Sequence, residues 1–181
     1  MNKSYYFLLK EGISAMDMLE FALEQEHKIE KHYRDMARRA PHEGIKNILE
    51  MLTANEQHHE NVIQQMKQEV PIQERQVDFI KGADSILTKL TCSTEYFGLP
   101  EDELFLYQQA RDIEYQKEQT YHELAARSLN VKQRRIFEGL AAEEHQHYVL
   151  MGNLCDLLER THWFLEDAEF SHIPDYAEGV F

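Results

Sequence analysis

Cysteine is scarce in this sequence. Only two cysteines, Cys92 and Cys155, occur among 181 residues, and they do not form a CxxC pair. That count excludes a disulfide framework, a zinc site built on cysteine and an iron centre held by four cysteines within these residues. Glycine and proline are also few, at 7 and 4. They fall between periodic segments, so the sequence predicts regular structure with few breaks.

Long apolar runs and positive charge are lacking as well. The start, MNKSYYFLLKEG, has an apolar run of five residues, and nothing in the sequence approaches the roughly 20 apolar residues of a membrane span. The formal net charge of -14 comes from 19 Lys+Arg against 33 Asp+Glu. This charge argues against nucleic acid or an anionic membrane as a partner. We therefore expect a cytoplasmic protein that binds neither.

Four long segments have the apolar spacing of amphipathic helices, and no segment alternates as a strand does. We therefore expect an all-α fold, a four-helix bundle in a single domain over 1–181. The helices are predicted over about 14–40, 42–68, 101–128 and 131–160. Their apolar faces include Met16, Leu19, Leu23, Tyr33, Met36 and Ala37 in the first, Ile45, Ile48, Leu49, Leu52, Ile63 and Met66 in the second, and Ile136, Leu140, Met151, Leu154 and Leu158 in the fourth.

The connection between the second and third helices is long. Residues 69–100 separate them, whereas roughly 2–8 residues usually join neighbouring helices of a bundle. We expect one short helix near 84–90 and a crossover that carries the chain from one end of the bundle to the other. The aromatic, acidic residues 161–181 form a C-terminal extension. This extension packs either on the bundle or on a partner chain, and the sequence leaves both open.

The chain contains an internal repeat. Shifted by 88 positions, residues 17–66 and 105–154 share twelve identities in fifty, where ordinary residue frequencies give about three. The repeat halves are two helical hairpins of one design, at about 14–68 and 101–160. Five ExxH motifs occur, and two of them recur at this offset: Glu56/His59 and Glu144/His147.

Two more glutamates belong to the same pattern. Glu26 and Glu114 each lie 30 residues before the ExxH glutamate of their own hairpin, and the midpoint of each pair falls at the predicted turn. Because helices rise ~1.5 Å per residue, paired acids equidistant from a turn sit at the same height on antiparallel neighbours. Two hairpins packed face to face then bring four glutamates and two histidines together. Tyr33 and Tyr121, two turns beyond Glu26 and Glu114, lie on the same stripes.

Such a layer requires positive charge. Four carboxylates in the dry middle of a bundle repel one another and lose hydration, at several kcal/mol per ion. Two divalent cations supply +4 against -4, and two neutral imidazoles complete the ligand set. Mixed carboxylate and imidazole ligands suit iron, manganese or a mixed pair better than zinc. The predicted metal ligands are Glu26, Glu56, His59, Glu114, Glu144 and His147.

A glutamate from each of two helices plus Glu-x-x-His from each of two others is the ligand pattern of ferritin-like di-iron carboxylate proteins. In EQEHKIEKHY and EYQKEQTYHELA a tyrosine also follows a ligand glutamate by seven positions. Over about 14–160 the chain resembles a rubrerythrin-like member of that superfamily. The resemblance implies a ferritin-like bundle and two iron ions bridged by Glu56 and Glu144. It also implies that Tyr33 and Tyr121 hydrogen-bond ligand carboxylates.

Two features depart from rubrerythrins. Those proteins carry a further carboxylate three residues after the third-helix ligand, and an iron moves toward it on oxidation. Here that position is Lys117, which argues against the movement. Glu118 and its repeat mate Glu30 are other carboxylates nearby, expected on a solvated helix flank. Rubrerythrins also end in a rubredoxin domain, so electrons are expected here from an external donor such as a rubredoxin-like protein.

Three functions are compatible with this site. The favoured one is an oxidoreductase that reduces hydrogen peroxide or dioxygen with that donor, acting as a homodimer or a higher homo-oligomer. The second is a ferroxidase of bacterioferritin type, which handles iron. Against it, Gln57 stands where the haem-binding methionine of bacterioferritin is expected. The third is non-catalytic, a structural metal site in an interaction or sensor module.

Overall fold

The computed structural model describes residues 14–40, 42–72, 79–92 and 101–170, with the backbone alone at 15, 79–80, 101–102 and 161–170. Five helices and no strand occur in these ranges, which confirms the all-α fold class. None of the described helices has the length and apolar composition that crossing a membrane requires. The helices are α1 (Ala15–Arg39), α2 (Glu43–Lys67), α3 (Phe79–Thr91), α4 (Glu101–Arg127) and α5 (Val131–Phe170).

Side chains cap three of the helix starts. The Ser14 hydroxyl accepts a hydrogen bond from the Asp17 amide at 3.1 Å, and the Ser14 amide donates to the Asp17 carboxylate at 3.2 Å. Before α2, His42 Nδ1 accepts from the backbone N–H two residues on, at 2.9 Å. Before α5, Asn130 Oδ1 accepts from the Lys132 amide at 2.9 Å. These caps satisfy N–H groups that lack partners within the helix, and so fix where each helix begins.

The helices form two hairpins that pack face to face. Helix α1 lies along α2, and α4 lies along α5, while α1 also contacts α4 and α2 contacts α5. Helix α3 belongs to the long connection and packs on α2 and α5. Gly44 permits that approach, because a Cβ at this position would lie only 2.9 Å from Leu90 Cδ2.

A buried polar layer divides the core into two apolar clusters. In each of the four long helices, the buried polar residues of this layer lie between segments that belong to different clusters. The ferritin-like arrangement therefore places a charged layer at mid-bundle with hydrophobic packing above and below it. Along α2 the first cluster contains Ile45, Ile48, Leu49 and Leu52, and the second contains Val62, Ile63 and Met66.

One predicted core residue is wrong. Met16 is 50% exposed, whereas Met18 is only 8% exposed and belongs to the second apolar cluster. Both residues lie in the first turn of α1, and helical periodicity alone does not fix the angle at which that turn faces α2 and α4. The packing of the hairpins selects Met18.

Two helices are longer than periodicity predicted. The short helix expected near 84–90 spans Phe79–Thr91, and α5 continues past Arg160 to Phe170. Neither glycine nor proline occurs between Arg160 and Pro174, so no residue breaks the helix earlier. The first part of the predicted extension 161–181 is thus helical, and residues 171–181 lie outside the described ranges.

Candidate metal centre

The six predicted ligands meet in the polar layer. All are buried: His147 is 1% exposed and the other five are 0% exposed. They form two groups, in each of which the candidate ligand atoms all lie within 4.8 Å of one another. Glu56 and Glu144 belong to both groups, as residues that bridge two ions would. That these residues bind metal stays a prediction. The groups are Glu26, Glu56, His59 and Glu144, and Glu56, Glu114, Glu144 and His147.

Each imidazole faces the ExxH glutamate of the opposite hairpin. His59 Nδ1 lies 2.9 Å from Glu144 Oε1, and His147 Nδ1 lies 2.9 Å from Glu56 Oε1. The distances within the motifs are longer, at 3.6 Å from His59 to Glu56 and 3.3 Å from His147 to Glu144. The two halves of the site are therefore joined across the hairpin interface.

The tyrosines also act across that interface. Tyr33 donates a hydrogen bond to Glu114 Oε1, and Tyr121 donates one to Glu26 Oε1. Both tyrosines are at most 2% exposed. Each hydroxyl therefore orients a carboxylate on a helix of the other hairpin, and the two contacts are related by the same shift of 88 positions.

Two residues that the sequence reasoning missed contact the far sides of the imidazoles. Glu143 Oε2 lies 2.9 Å from His59 Nε2, and the Asn55 amide lies 2.9 Å from His147 Nε2. The Glu143 carboxylate can only accept, so it holds a proton on His59 Nε2 and leaves Nδ1 to bind a metal, whereas the Asn55 atom that faces His147 Nε2 is the donor Nδ2. If the Asn55 amide were turned so that Oδ1 faced the ring, it would accept the Nε2 proton. One sequence feature could have revealed Asn55 and Glu143: each immediately precedes an ExxH glutamate, Glu56 or Glu144.

Lys117 lies inside the layer, where the sequence had marked only a departure from the family pattern. Its side chain is 3% exposed. Its Nζ lies 3.0 Å from Glu26 Oε2, 2.9 Å from Glu144 Oε2 and 3.4 Å from Glu114 Oε2, and it donates a hydrogen bond to Glu56 Oε2. One ammonium therefore contacts all four carboxylates.

The four carboxyl groups differ in how readily they ionise. Burial raises the pKa of Glu26 to about 8 and that of Glu114 to about 7, despite the nearby lysine. Burial also acts against ionisation of Glu56 and Glu144. There, however, the Lys117 charge and the imidazoles outweigh it and hold both pKa values below the ordinary value. The two shared glutamates thus ionise at lower pH than the two outer ones.

Both imidazoles favour the charged form in the metal-free layer. Burial alone would lower their pKa values, but the charge of Glu144 raises the pKa of His59 well above 6.5, and the charge of Glu56 does the same for His147. A metal ion must displace such protons to bind the ring nitrogens.

The donor set fits divalent metal ions. Among the described residues, no hydrogen bond of good geometry reaches Glu26 Oε2, Glu114 Oε2 or either oxygen of Glu144. The described contacts of these oxygens are the ion pairs with Lys117 and the imidazoles, and buried acceptors without good hydrogen bonds are costly and rare. A cation bound to these oxygens would satisfy them, and carboxylates with imidazoles suit iron or manganese.

The raised carboxyl pKa values predict that metal-free protein loses stability as the pH rises. A carboxyl group whose pKa is higher in the folded protein than in the unfolded protein stabilises the fold. This stabilisation is complete below the unfolded pKa and is lost as the pH rises through the folded pKa. The stabilisation by Glu26 is lost between pH 4.5 and about 8, and that by Glu114 between pH 4.5 and about 7. We expect the melting temperature of metal-free protein to fall by at least about 5 °C between pH 5 and pH 8.

Thermal unfolding followed by circular dichroism checks this expectation. Glu26→Gln should flatten the decline, because an amide stays neutral at every pH. Glu24→Gln is the matched control, since Glu24 is 65% exposed and pairs with Lys28 on the surface. A melting temperature that stays level or rises over this range would contradict the assigned pKa directions.

The two additional carboxylates stay outside the layer. Glu30 is not on a solvated flank as expected. It is 3% exposed and accepts hydrogen bonds from Arg34 and from Gln57 Nε2, the latter at 2.8 Å. Its repeat mate Glu118 instead lies 3.2 Å from His145 Nδ1. Neither joins the two candidate cation-binding groups found among the described residues.

Comparison with known families gives one finding. The family model described as Rubrerythrin matches residues 17–155, a span that contains all six predicted ligands, both tyrosines and Lys117. Searches of curated proteins and of solved structures give no match. With most of its length matched, and with a buried carboxylate and histidine cluster that can hold metal, the chain belongs to the rubrerythrin family of the ferritin-like superfamily.

Proposed function

We propose that this protein is a rubrerythrin-like oxidoreductase that reduces hydrogen peroxide or dioxygen at a pair of iron ions. The observation that carries the proposal is the pair of buried ligand groups that share Glu56 and Glu144. Two overlapping groups of three carboxylates and one imidazole match the requirement of a dinuclear site for bridging acids. Family membership supports iron as the metal.

The chain's own residues would hold and orient such a centre. Glu56 and Glu144 would bridge, and Glu26 and Glu114 would each complete one half. Hydrogen bonds from Tyr121 and Tyr33 fix the direction of these two outer carboxylates. Because all the ligands are buried, their charges interact more strongly with one another and with a bound group than they would in water.

Reduction of hydrogen peroxide consumes two electrons and two protons. When bound, two ferrous ions would supply one electron each, so that hydrogen peroxide and two protons give two molecules of water. Re-reduction requires an electron source other than these 181 residues, because their two cysteines cannot build a rubredoxin-type iron centre. A separate rubredoxin-like protein is our proposed donor.

The local contacts give the bacterioferritin alternative no further support. Gln57, which stands where a haem-binding methionine was expected, donates from Nε2 to Glu30 at 2.8 Å and so joins α2 to α1. The assembly, whether homodimer or cage, stays a prediction.

Anaerobic stopped-flow mixing tests the proposal. Protein loaded with ferrous iron and mixed with peroxide should develop ferric absorption and consume one peroxide per two iron ions, because each iron gives one electron. Dioxygen in a parallel experiment identifies the preferred oxidant. Free ferrous iron at the same concentration is the control. If the loaded protein oxidises no faster than free iron with either oxidant, the redox function is wrong and the non-catalytic reading stands.

A further inference from the structure

Lys117 breaks the internal symmetry of the site. The contacts of Tyr33 and Tyr121, and those of His59 and His147, follow the shift of 88 positions. The repeat mate of Lys117 is Ile29 on α1, which is 1% exposed and belongs to an apolar cluster. An isoleucine thus fills the equivalent place in the other hairpin. Packing alone therefore does not require a lysine at position 117. The presence of the Lys117 ammonium needs an electrostatic explanation.

Desolvation makes that ammonium costly unless it is paired. A buried lysine with 3% exposure loses nearly all its hydration, and among the described residues the carboxylates of the layer are what compensates for it. Its Nζ lies within 3.0 Å of oxygens on Glu26 and Glu144 and donates to Glu56. The ammonium thus uses the same oxygens that a metal would use.

A metal ion and the ammonium compete for this space. Metal–oxygen bonds are roughly 2.0–2.2 Å long, so an ion bound to these oxygens would lie against Nζ. Charge counting gives the same result. One divalent ion plus the ammonium brings +3 against the four carboxylates, whereas two divalent ions plus the ammonium bring +5. The layer accommodates the ammonium with one ion, but not with two.

We propose that the Lys117 ammonium is a built-in cation of the carboxylate layer, holding the place of one metal ion, so that divalent ions load stepwise. The first ion binds beside the ammonium, and the second binds only when the Lys117 side chain leaves the layer. This inference rests on the metal site of the proposed function and specifies how that site fills.

Titration of metal-free protein with Mn²⁺, followed by the electron paramagnetic resonance signal of the free ion, tests the inference. Wild-type protein should bind one ion tightly and the second about 100-fold more weakly, because of repulsion by the ammonium. Lys117→Ile, which copies the residue already present at Ile29, should bind two ions with affinities within about 10-fold. Lys28→Ile makes the same replacement on an exposed surface and should behave as wild type.

Thermal stability supplies a second readout. Without metal, Lys117→Ile should melt roughly 10 °C below wild type, because four buried carboxylates lose their cation. Excess Mn²⁺ should abolish this difference in melting temperature. If this variant does not fold without metal, the wild-type titration alone decides, since two ions bound with equal affinity overturn the inference.

The outcomes separate the inference from the proposed function. Stepwise binding in both wild type and Lys117→Ile overturns the role of Lys117, as does an unchanged melting temperature. Binding to Lys117→Ile but not to wild type overturns stepwise loading, because the first ion should bind beside the ammonium, and it overturns the redox function as well. Stepwise loading without peroxide reduction leaves this inference standing, and no binding to either protein overturns both proposals.

Discussion

Glu144→Ala should lose most of its bound iron and, with it, any reduction of peroxide. Glu144 belongs to both candidate groups, so its loss removes a ligand from each half at once. Changing residues that only support a metal ligand reduces affinity by 10–100-fold, so removal of a shared ligand should cost at least about 100-fold. Elemental analysis of reconstituted and desalted protein measures the effect.

The helices of this variant should stay formed, because alanine favours helix and three carboxylates, those of Glu26, Glu56 and Glu114, remain in contact with the Lys117 ammonium. Far-ultraviolet circular dichroism checks this. Glu24→Ala is the matched control: Glu24 also begins an ExxH motif, but it is 65% exposed and lies outside the layer. Wild-type iron content in Glu144→Ala, or an equal loss in both variants, would show that the ligand assignment is wrong.

Leu52→Ala should cause a large loss of stability. Leu52 is 0% exposed and lies one turn before Glu56, in the apolar cluster on one side of the charged layer. Truncation removes buried area and leaves a cavity, so the free energy of unfolding should fall by about 2–5 kcal/mol. Urea denaturation of metal-free protein measures it.

Met16→Ala is the control that distinguishes sequence periodicity from packing. Periodicity placed both residues in the core, but Met16 is 50% exposed, so its truncation should change the free energy of unfolding by less than about 0.5 kcal/mol. A loss for Met16→Ala as large as for Leu52→Ala would mean that the first turn of α1 packs differently.

The electrostatic pattern explains why the layer can be charged and still belong to a stable bundle. The shared acids Glu56 and Glu144 stay ionised beside the Lys117 ammonium. The outer acids Glu26 and Glu114 retain protons to higher pH. Metal-free protein can therefore balance the layer with its own cations and protons, and a divalent ion must compete with both.

Local sequence signals were sufficient for most of the fold. Ser14 and Asn130 cap their own helices through local hydrogen bonds, so the starts of α1 and α5 could be predicted without knowledge of the tertiary structure. The helix ends were less certain. Periodicity weakens after Leu158, while the end of α5 depends on the absence of a breaking residue as far as Phe170.

The site was predictable because it repeats. Helical rise and the common spacing of 30 residues placed Glu26, Glu56, Glu114 and Glu144 at one height, and the shift of 88 positions distinguished two ExxH motifs from three others. Asn55 and Glu143 were missed because they differ from each other, so identity within the repeat could not reveal them. Their contacts with the imidazoles arise only when the hairpins pack.

The sequence by itself determined an all-helical chain, its two related hairpins and the residues that share the mid-bundle height, because backbone hydrogen bonding and helical spacing act over short distances. Only the tertiary structure decided which partner each group meets. The tyrosines and histidines reach acids of the opposite hairpin, and Lys117 points inward to contact all four carboxylates. The relative rotation and packing of the helices set these contacts, and spacing along a single helix does not specify either.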